Sequence, residues 1–255
     1  QVPDVYHLNA RLYSAYIRDR WTATDKLTID YGTRWEYFPV PTRPDRGIEF
    51  YDVNTGNGLL CGVGSIPDDC GIKTSKTRFG PRAGVAYRFA DKWVARAGYG
   101  LTNDPYEGME LIRANYPLLI QVKVESPNAL TPATTLSKGI PAVQAPAEGN
   151  GILPIPSDYA WQGYPKDLDR GYIQSWNFTV QRELPWHFTG QIGYVATRTT
   201  RQLGLLDINA GQVIGAGEKG RPLLQQFGRT ASTVLLQPVG NGKYDSMQVQ
   251  LQRRF

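Results

Sequence analysis

Apolar and polar residues alternate along seven stretches of the chain, and six of these stretches form pairs joined by only a few residues. In the clearest stretch, Leu27 to Tyr37, every second residue is apolar, aromatic or threonine, and the residues between them include Asp30, Arg34 and Glu36. A period of two is typical of a β-strand with one apolar face. The stretch from Tyr13 to Trp21 alternates in the same way, and residues 22–26 separate the two. The pattern therefore predicts a hairpin over about residues 11–39.

Two further hairpins and a single strand follow the same pattern. The second hairpin covers about residues 80–102 and turns near Asp91 and Lys92, and the third covers about residues 171–199 and turns near Pro185. A last alternating strand covers about residues 244–255. Polar segments of about 40, 65 and 40 residues separate these units. The sequence predicts an all-β, antiparallel, up-and-down sheet with tight turns at one end and long loops at the other.

Strand length and loop asymmetry favour a membrane barrel over a soluble sandwich, which would show the same alternation. The predicted strands have roughly 10 to 15 residues, whereas strands of globular proteins cluster near 5 or 6 and a tilted membrane-spanning strand needs about 9 to 11. Short periplasmic turns and long extracellular loops are the usual arrangement in outer-membrane barrels. We therefore expect residues 1–255 to form part of one transmembrane β-barrel domain of the bacterial outer membrane, in contact with its lipid.

Aromatic residues near the strand ends fit an interfacial girdle, the position that tryptophan and tyrosine prefer at a membrane surface. The candidate girdle residues are Trp21, Trp35, Tyr37, Trp93, Trp176, Trp186 and Tyr194.

Composition narrows the function classes without choosing among them. Hydrophobic residues make up 41% of the chain, but no run of about 18 apolar residues occurs, which excludes a membrane-spanning helix. The net charge of +5 comes without a basic run or a nucleic-acid-binding motif, so no nucleic-acid partner is expected.

Charged residues on the polar positions of the strands are expected to face the lumen of the barrel. They could pair across neighbouring strands and anchor a plug, or they could line a ligand path suited to anionic or oligomeric substrates. The candidate lumen-facing residues are Arg18, Arg20, Asp30, Arg34, Glu36, Arg82, Arg88, Arg96 and Glu183.

The two cysteines, Cys61 and Cys70, lie in the first long loop. Two cysteines in one exported loop predict a disulfide, with a metal site or free thiols as alternatives. The two histidines, His7 and His187, lack the spacing of zinc ligands, and no nucleophile or phosphate-binding motif is present. We expect no cofactor, no metal and no enzymatic activity.

The ends of the chain predict further sequence beyond it. The chain starts at Gln1 without an initiator methionine. An odd number of strands also leaves an edge strand whose backbone N–H and C=O groups find no hydrogen-bonding partner in lipid. We expect at least one more strand outside this sequence, an N-terminus that is either processed or a truncation, and a truncation at the other end. A natural barrel end at the aromatic Phe255 is the alternative.

Several runs resemble the barrel of TonB-dependent outer-membrane transporters, and in particular their Oar-like branch. These runs are residues 15–21 (AYIRDRW), 27–37 (LTIDYGTRWEY), 79–89 (FGPRAGVAYRF), 96–100 (RAGYG), 175–184 (SWNFTVQREL), 193–196 (GYVA) and 244–251 (YDSMQVQL). The resemblance implies energised uptake of a bulky nutrient, an N-terminal plug that this sequence lacks, and an inner-membrane TonB complex as partner. A structural or adhesive surface protein and a small self-contained barrel or porin are the alternatives.

Overall fold

A computed structural model describes residues 7–104, 115–120, 124, 126, 128–139 and 145–253. Within these residues the chain forms thirteen β-strands and one short α-helix, with a turn of 3-10 helix before it. The elements are β1 (Tyr13–Thr24), β2 (Leu27–Tyr37), β3 (Glu49–Tyr51), β4 (Asn57–Leu60), β5 (Lys73–Thr74), β6 (Arg78–Ala90), β7 (Trp93–Asn103), β8 (Ile152–Pro154), β9 (Trp161–Gly163), β10 (Asp167–Leu168), β11 (Tyr172–Leu184), β12 (Phe188–Asp207), α1 (Pro222–Phe227) and β13 (Thr233–Arg253).

Seven long strands form one antiparallel main sheet in the order β1-β2-β6-β7-β11-β12-β13. The short strand β9 adds to it in parallel, along residues 233–235 of β13 only. Three tight turns, at residues 25–26, 91–92 and 185–187, lie at one end of the sheet, which we call the short-turn end. The opposite end, where the long segments connect the strands, is the loop end. This arrangement confirms the predicted all-β, up-and-down architecture, although the sheet does not close on itself.

The strand register carries the sequence alternation across the whole main sheet. Arg20 lies opposite Asp30, and Asp30 lies opposite Gly84 on the next strand. One position along, Trp21 lies opposite Ile29, and Ile29 lies opposite Val85. Since side chains alternate between the two sides of a strand, the first series lies on one side, the polar face, and the second on the other, the apolar face.

The last hairpin extends further than the alternation predicted. β12 has 20 residues and continues to Asp207, whereas its predicted end was about residue 199. β13 has 21 residues and begins at Thr233, whereas its predicted start was about residue 244. Register shifts between Thr199 and Leu203 interrupt the period of two. The sequence pattern is lost there because the projecting part of the hairpin packs against other residues of the loops.

The long segments fold into a body of their own, which we call the loop module: residues 38–77, 145–171 and 208–232 together with the loop ends of β12 and β13. It contains a three-stranded sheet, β3-β4-β8, and a two-stranded pair, β5 and β10. One buried cluster includes Ile48, Phe50, Tyr164 and Leu236, and a second contains Tyr51, Trp161 and Leu223. The sequence predicted only polar loops here, because buried residues drawn from three separate segments leave no local periodicity.

Burial differs sharply between the loop module and the main sheet. Ile48 and Trp161 in the loop module are 0% and 1% exposed, whereas Ile17 and Val249 on the apolar face are 72% and 71% exposed. An apolar surface of this extent requires an apolar environment or a partner to cover it. In the described part of the chain, no helix has the length and apolar character needed to cross a membrane.

Candidate functional site: the polar face of the main sheet

All nine charged residues proposed for the lumen lie on the polar face of the main sheet. The strand pairings place Arg18, Arg20, Asp30, Arg34, Glu36, Arg82, Arg88, Arg96 and Glu183 on this one side. They come from five strands, so the face is a continuous surface and not a property of one hairpin.

Asp30 is the centre of the largest charge cluster on the polar face. Arg18 donates from Nε and Nη2 to the two carboxylate oxygens of Asp30 at 2.8 and 2.5 Å, a two-pronged contact. Arg20 approaches the same carboxylate at 3.3 Å. Because one carboxylate faces two guanidinium groups, this cluster keeps a surplus of positive charge.

A second group of contacts lies closer to the loop end. Arg34 lies 3.0 Å from Glu36 and donates to the hydroxyl of Ser14 at 3.1 Å. The amide of Asn103 donates to Glu36 at 3.2 Å. These contacts tie β1, β2 and β7 together across the polar face.

Two other predicted arginines have neutral partners. Arg96 donates to the side-chain oxygen of Gln181 at 2.6 Å, and Arg88 donates to the backbone carbonyl of Asp25 at 3.3 Å. Their positive charges are therefore not neutralised by these contacts.

Arg82 differs from the other arginines in its neighbours. In the described ranges no carboxylate lies within ion-pair distance of it, and its cross-strand neighbours are Gly32 and Gly100. It lines a depression of about 490 Å³ together with Arg18, Asp30 and Arg34.

The polar face has a second half, uncharged except for Glu183 near the short-turn end, that was not predicted as a site from the sequence. The amides and hydroxyls of β11, β12 and β13 form it, namely Ser175, Asn177, Thr179, Gln181, Thr189, Gln191, Ser246, Gln248, Gln250 and Gln252. The alternating glutamines of β13 were visible in the sequence, but only the register shows that they continue a surface begun on β11. The polar face thus combines a cationic half with a half that offers neutral hydrogen-bonding groups.

Six of the seven candidate girdle residues lie on the apolar face. Trp21 and Trp93 lie towards the short-turn end, and Trp35 and Tyr37 lie near the loop end. Trp176 and Tyr194 lie between these two groups, since Tyr194 pairs with Phe178 in the middle of β11. Trp186 lies in the last turn and is 79% exposed. Their role as a membrane girdle stays a prediction.

Two carboxylates on the apolar face, Asp19 and Asp245, were not predicted from the sequence. Asp19 accepts a hydrogen bond from the hydroxyl of Tyr31 at 3.1 Å. On β13, Asp245 accepts from Tyr194 at 2.5 Å and from Arg198 at 2.8 Å. Asp19 lies between Arg18 and Arg20 in the sequence. Three consecutive charged residues show no alternation, so the side of the strand that carries the Asp19 carboxylate could not be predicted.

The predicted disulfide is confirmed: Cys61 and Cys70 are bonded. Both cysteines belong to the larger buried cluster of the loop module, with exposures of 0% and 7%. The bond therefore lies inside a packed core and not at a loop tip.

A buried carboxylate, Glu49, holds two arginines beside this core. Arg46 and Arg43 approach the same carboxylate oxygen at 2.7 and 3.3 Å, and the Glu49 side chain is fully buried. Burial raises the pKa of the Glu49 carboxyl, and the positive charges of Arg46 and Arg43 act against that rise. The cluster links β3 to the segment that precedes it.

Metal-binding groupings do not occur in the described residues: no three His, Cys, Asp or Glu side chains lie close enough to hold an ion. His7 and His187 belong to different ends of the fold.

Comparisons with known proteins give one assignment and one distant likeness. A family model described as "Outer membrane beta barrel domain" matches residues 1–255. A search of curated proteins finds no match. Among solved structures, the siderophore receptor PirA from Pseudomonas aeruginosa shares 9% sequence identity at a TM-score of 0.45, over 94% of this chain and 30% of the receptor. The chain thus spans less than a third of that receptor's length.

The apolar face and the family assignment agree. The exposed apolar side chains of the main sheet are the surface that a barrel presents to lipid. The chain belongs to the outer membrane beta barrel domain family, and it resides in the bacterial outer membrane.

Proposed function

We propose that this chain forms part of the barrel of a TonB-dependent outer-membrane receptor of the Oar-like branch, which takes up a bulky nutrient. The loop module carries this proposal. A body with two buried clusters and a disulfide, placed at the loop end of membrane strands, suits the capture of a large ligand at the cell surface. The resemblance of the strand motifs to this transporter family adds support.

The two faces of the main sheet take separate roles in this proposal. The apolar face contacts lipid, and the polar face lines the lumen, where its charges contact a plug or a passing solute. A TonB complex of the inner membrane supplies the energy through the plug. We assign no catalytic step to the chain.

A structural or adhesive surface protein is the second candidate, because a folded loop module also suits attachment. The two candidates differ in what is lost when the protein is removed. An in-frame deletion in the source bacterium should be compared with the wild type for growth on single bulky nutrients, namely oligosaccharides, oligopeptides and ferric chelates. We expect a nutrient-specific growth defect that the intact gene restores.

Energy dependence completes this test. Uptake of the affected nutrient should stop when a protonophore collapses the proton gradient, since the outer membrane has no energy source of its own. Unchanged growth on every nutrient, together with lost surface attachment, would replace the transporter with the adhesive protein.

The intact mass of the native polypeptide separates the transporter from a small self-contained barrel or porin. A plug and a complete large barrel require a mass several times the 28.4 kDa of this chain. A native mass near 28.4 kDa would rule out the plug-dependent mechanism.

A further inference from the structure

We propose that the polar face around Arg82 is a binding site for one anionic group, a carboxylate or phosphate carried by a small solute. We call it the Arg82 site: Arg82, its four glycine neighbours and the adjacent arginines of the depression. The inference rests on the proposed function only in taking the polar face as the lumen wall.

Glycines surround Arg82 on every side of the polar face. Along β6 the next residues on this face are Gly80 and Gly84, and across the neighbouring strands lie Gly32 and Gly100. An arginine in a sheet normally stands among side chains that cover its stem and hold its guanidinium. Here those side chains are missing, so the guanidinium and the sheet backbone around it are open to an incoming group.

The backbone explains two of these four glycines. A Cβ at Gly32 would lie 2.5 Å from the carbonyl oxygen of Ile17, and one at Gly80 would lie 2.7 Å from that of Leu101. Backbone atoms cannot yield at such distances, so both positions require glycine.

The backbone does not explain the other two. A Cβ at Gly84 would meet nothing closer than 3.9 Å, and one at Gly100 nothing closer than 3.8 Å. Neither has a positive φ. Glycine within a strand weakens it and often marks a close approach by a ligand or another backbone. We infer that these two positions keep the floor of the site clear.

The net charge around the depression indicates which kind of ligand it binds. The arginines Arg18, Arg20 and Arg34 share the carboxylates of Asp30 and Glu36, and Arg82 adds a cation without a carboxylate among the described residues. Three guanidinium groups, those of Arg18, Arg34 and Arg82, line the depression with one carboxylate, Asp30, a surplus of two positive charges. An anion is the complementary ligand, and guanidinium binds carboxylate and phosphate with paired hydrogen bonds.

The size of the depression favours a small solute over a folded partner. Its volume of about 490 Å³ lies within the range of small-molecule sites, about 300 to 1,000 Å³. The neutral amides of β11 to β13 continue the same face, so the uncharged part of such a solute would find hydrogen-bonding groups beside the site.

The test uses the full-length protein purified from its membrane, with inorganic phosphate as the probe. The ³¹P line width of phosphate, titrated against protein, measures weak binding directly. Arg82→Gln should weaken binding about tenfold, the loss expected for one charge-assisted hydrogen bond. Arg88→Gln is the matched control, because it removes the same charge from the same strand and face; its binding should stay within twofold of wild type.

A second variant separates the site from general charge effects. Gly84→Val fills the floor with a residue that favours strands, so it should preserve or raise stability to urea while reducing phosphate binding as strongly as Arg82→Gln. Citrate should displace phosphate from the wild type and not from either variant.

Three results would overturn the proposal. Equal line broadening in wild type and Arg82→Gln would show that Arg82 does not bind the anion. Wild-type phosphate binding in Gly84→Val would show that the space left by Gly84 has no role in binding. Absence of binding in the wild type, together with a loss of stability in Gly84→Val, would show that a protein segment fills the depression. None of these results depends on the uptake assay. The Arg82 site can therefore be refuted while the transporter role stands, and the transporter role can be refuted while the site stands.

Discussion

Removal of the disulfide should loosen the loop module and leave the membrane strands unchanged. The bond joins residues separated by 9 positions and closes a loop of about ten residues. Loop-closure entropy gives such a bond about 2.7 kcal/mol of stabilisation at 25 °C. Both sulfurs are also packed in the larger buried cluster, so replacement by alanine adds a small loss of packing.

Hydrogen exchange followed by mass spectrometry measures this change region by region. In Cys61→Ala/Cys70→Ala, amides of residues 47–72 that exchange through opening of the loop module should exchange about 100-fold faster, which corresponds to 2.7 kcal/mol. Amides of β6 and β7 should keep their wild-type rates and serve as the internal control. Reduction of the wild type with dithiothreitol should give the same result without any substitution.

Exchange within twofold of wild type over residues 47–72 would refute the reasoning. It would mean that the core holds this loop without the bond. Equal acceleration in β6 and β7 would refute a different step, the independence of the loop module from the membrane strands.

Three other substitutions test charges placed by the structure. Glu49→Gln should destabilise the loop module by about 3 to 5 kcal/mol in the same exchange experiment, because two arginines lose their buried counter-charge, while exposed Asp45→Asn should have no measurable effect. Asp245→Asn should lower the urea midpoint of the purified protein, because Tyr194 and Arg198 lose the carboxylate that they share, and an unchanged midpoint would show that these contacts do not stabilise the fold. Asp19→Asn should stabilise the membrane-inserted protein by about 1 kcal/mol by removing a charge from the lipid-facing side. A loss of stability would instead reveal a cationic partner beside β1.

The main sheet could be predicted from the sequence because each of its strands repeats a two-residue period over ten or more positions. From Leu27 to Tyr37 only Thr33 interrupts the separation of apolar and polar sides, and the register in the structure preserves that separation. The local alternation of residues was enough to predict these strands, because each side of the main sheet has a uniform environment, apolar on one side and polar on the other.

The loop module could not be predicted in this way. Its clusters combine residues distant in sequence, as where Ile48, Tyr164 and Leu236 pack together. Its strands have only two to four residues, too few to establish a period. Long-range packing decides the structure there, and a single sequence carries little trace of it.

The Arg82 site shows the same limit at the level of single residues. The alternation along β6 predicted Arg82 on the polar side of its strand, but the glycines around Arg82 come from three strands. Gly32 and Gly100 become its neighbours only through the register of β2, β6 and β7. Composition could not distinguish a glycine required by the backbone, such as Gly80, from one that leaves space, such as Gly84.

The most direct test of the account is the alternation of lipid contact along β6. Single cysteines at positions 83 to 88, labelled with bimane in liposomes, report lipid contact through quenching by brominated lipid, and the native cysteines stay unlabelled because they are disulfide-bonded. We expect strong quenching at 83, 85 and 87 and little at 84, 86 and 88. Equal quenching at all six positions, or the opposite alternation, would contradict the assignment of the apolar face to lipid and the polar face to the lumen.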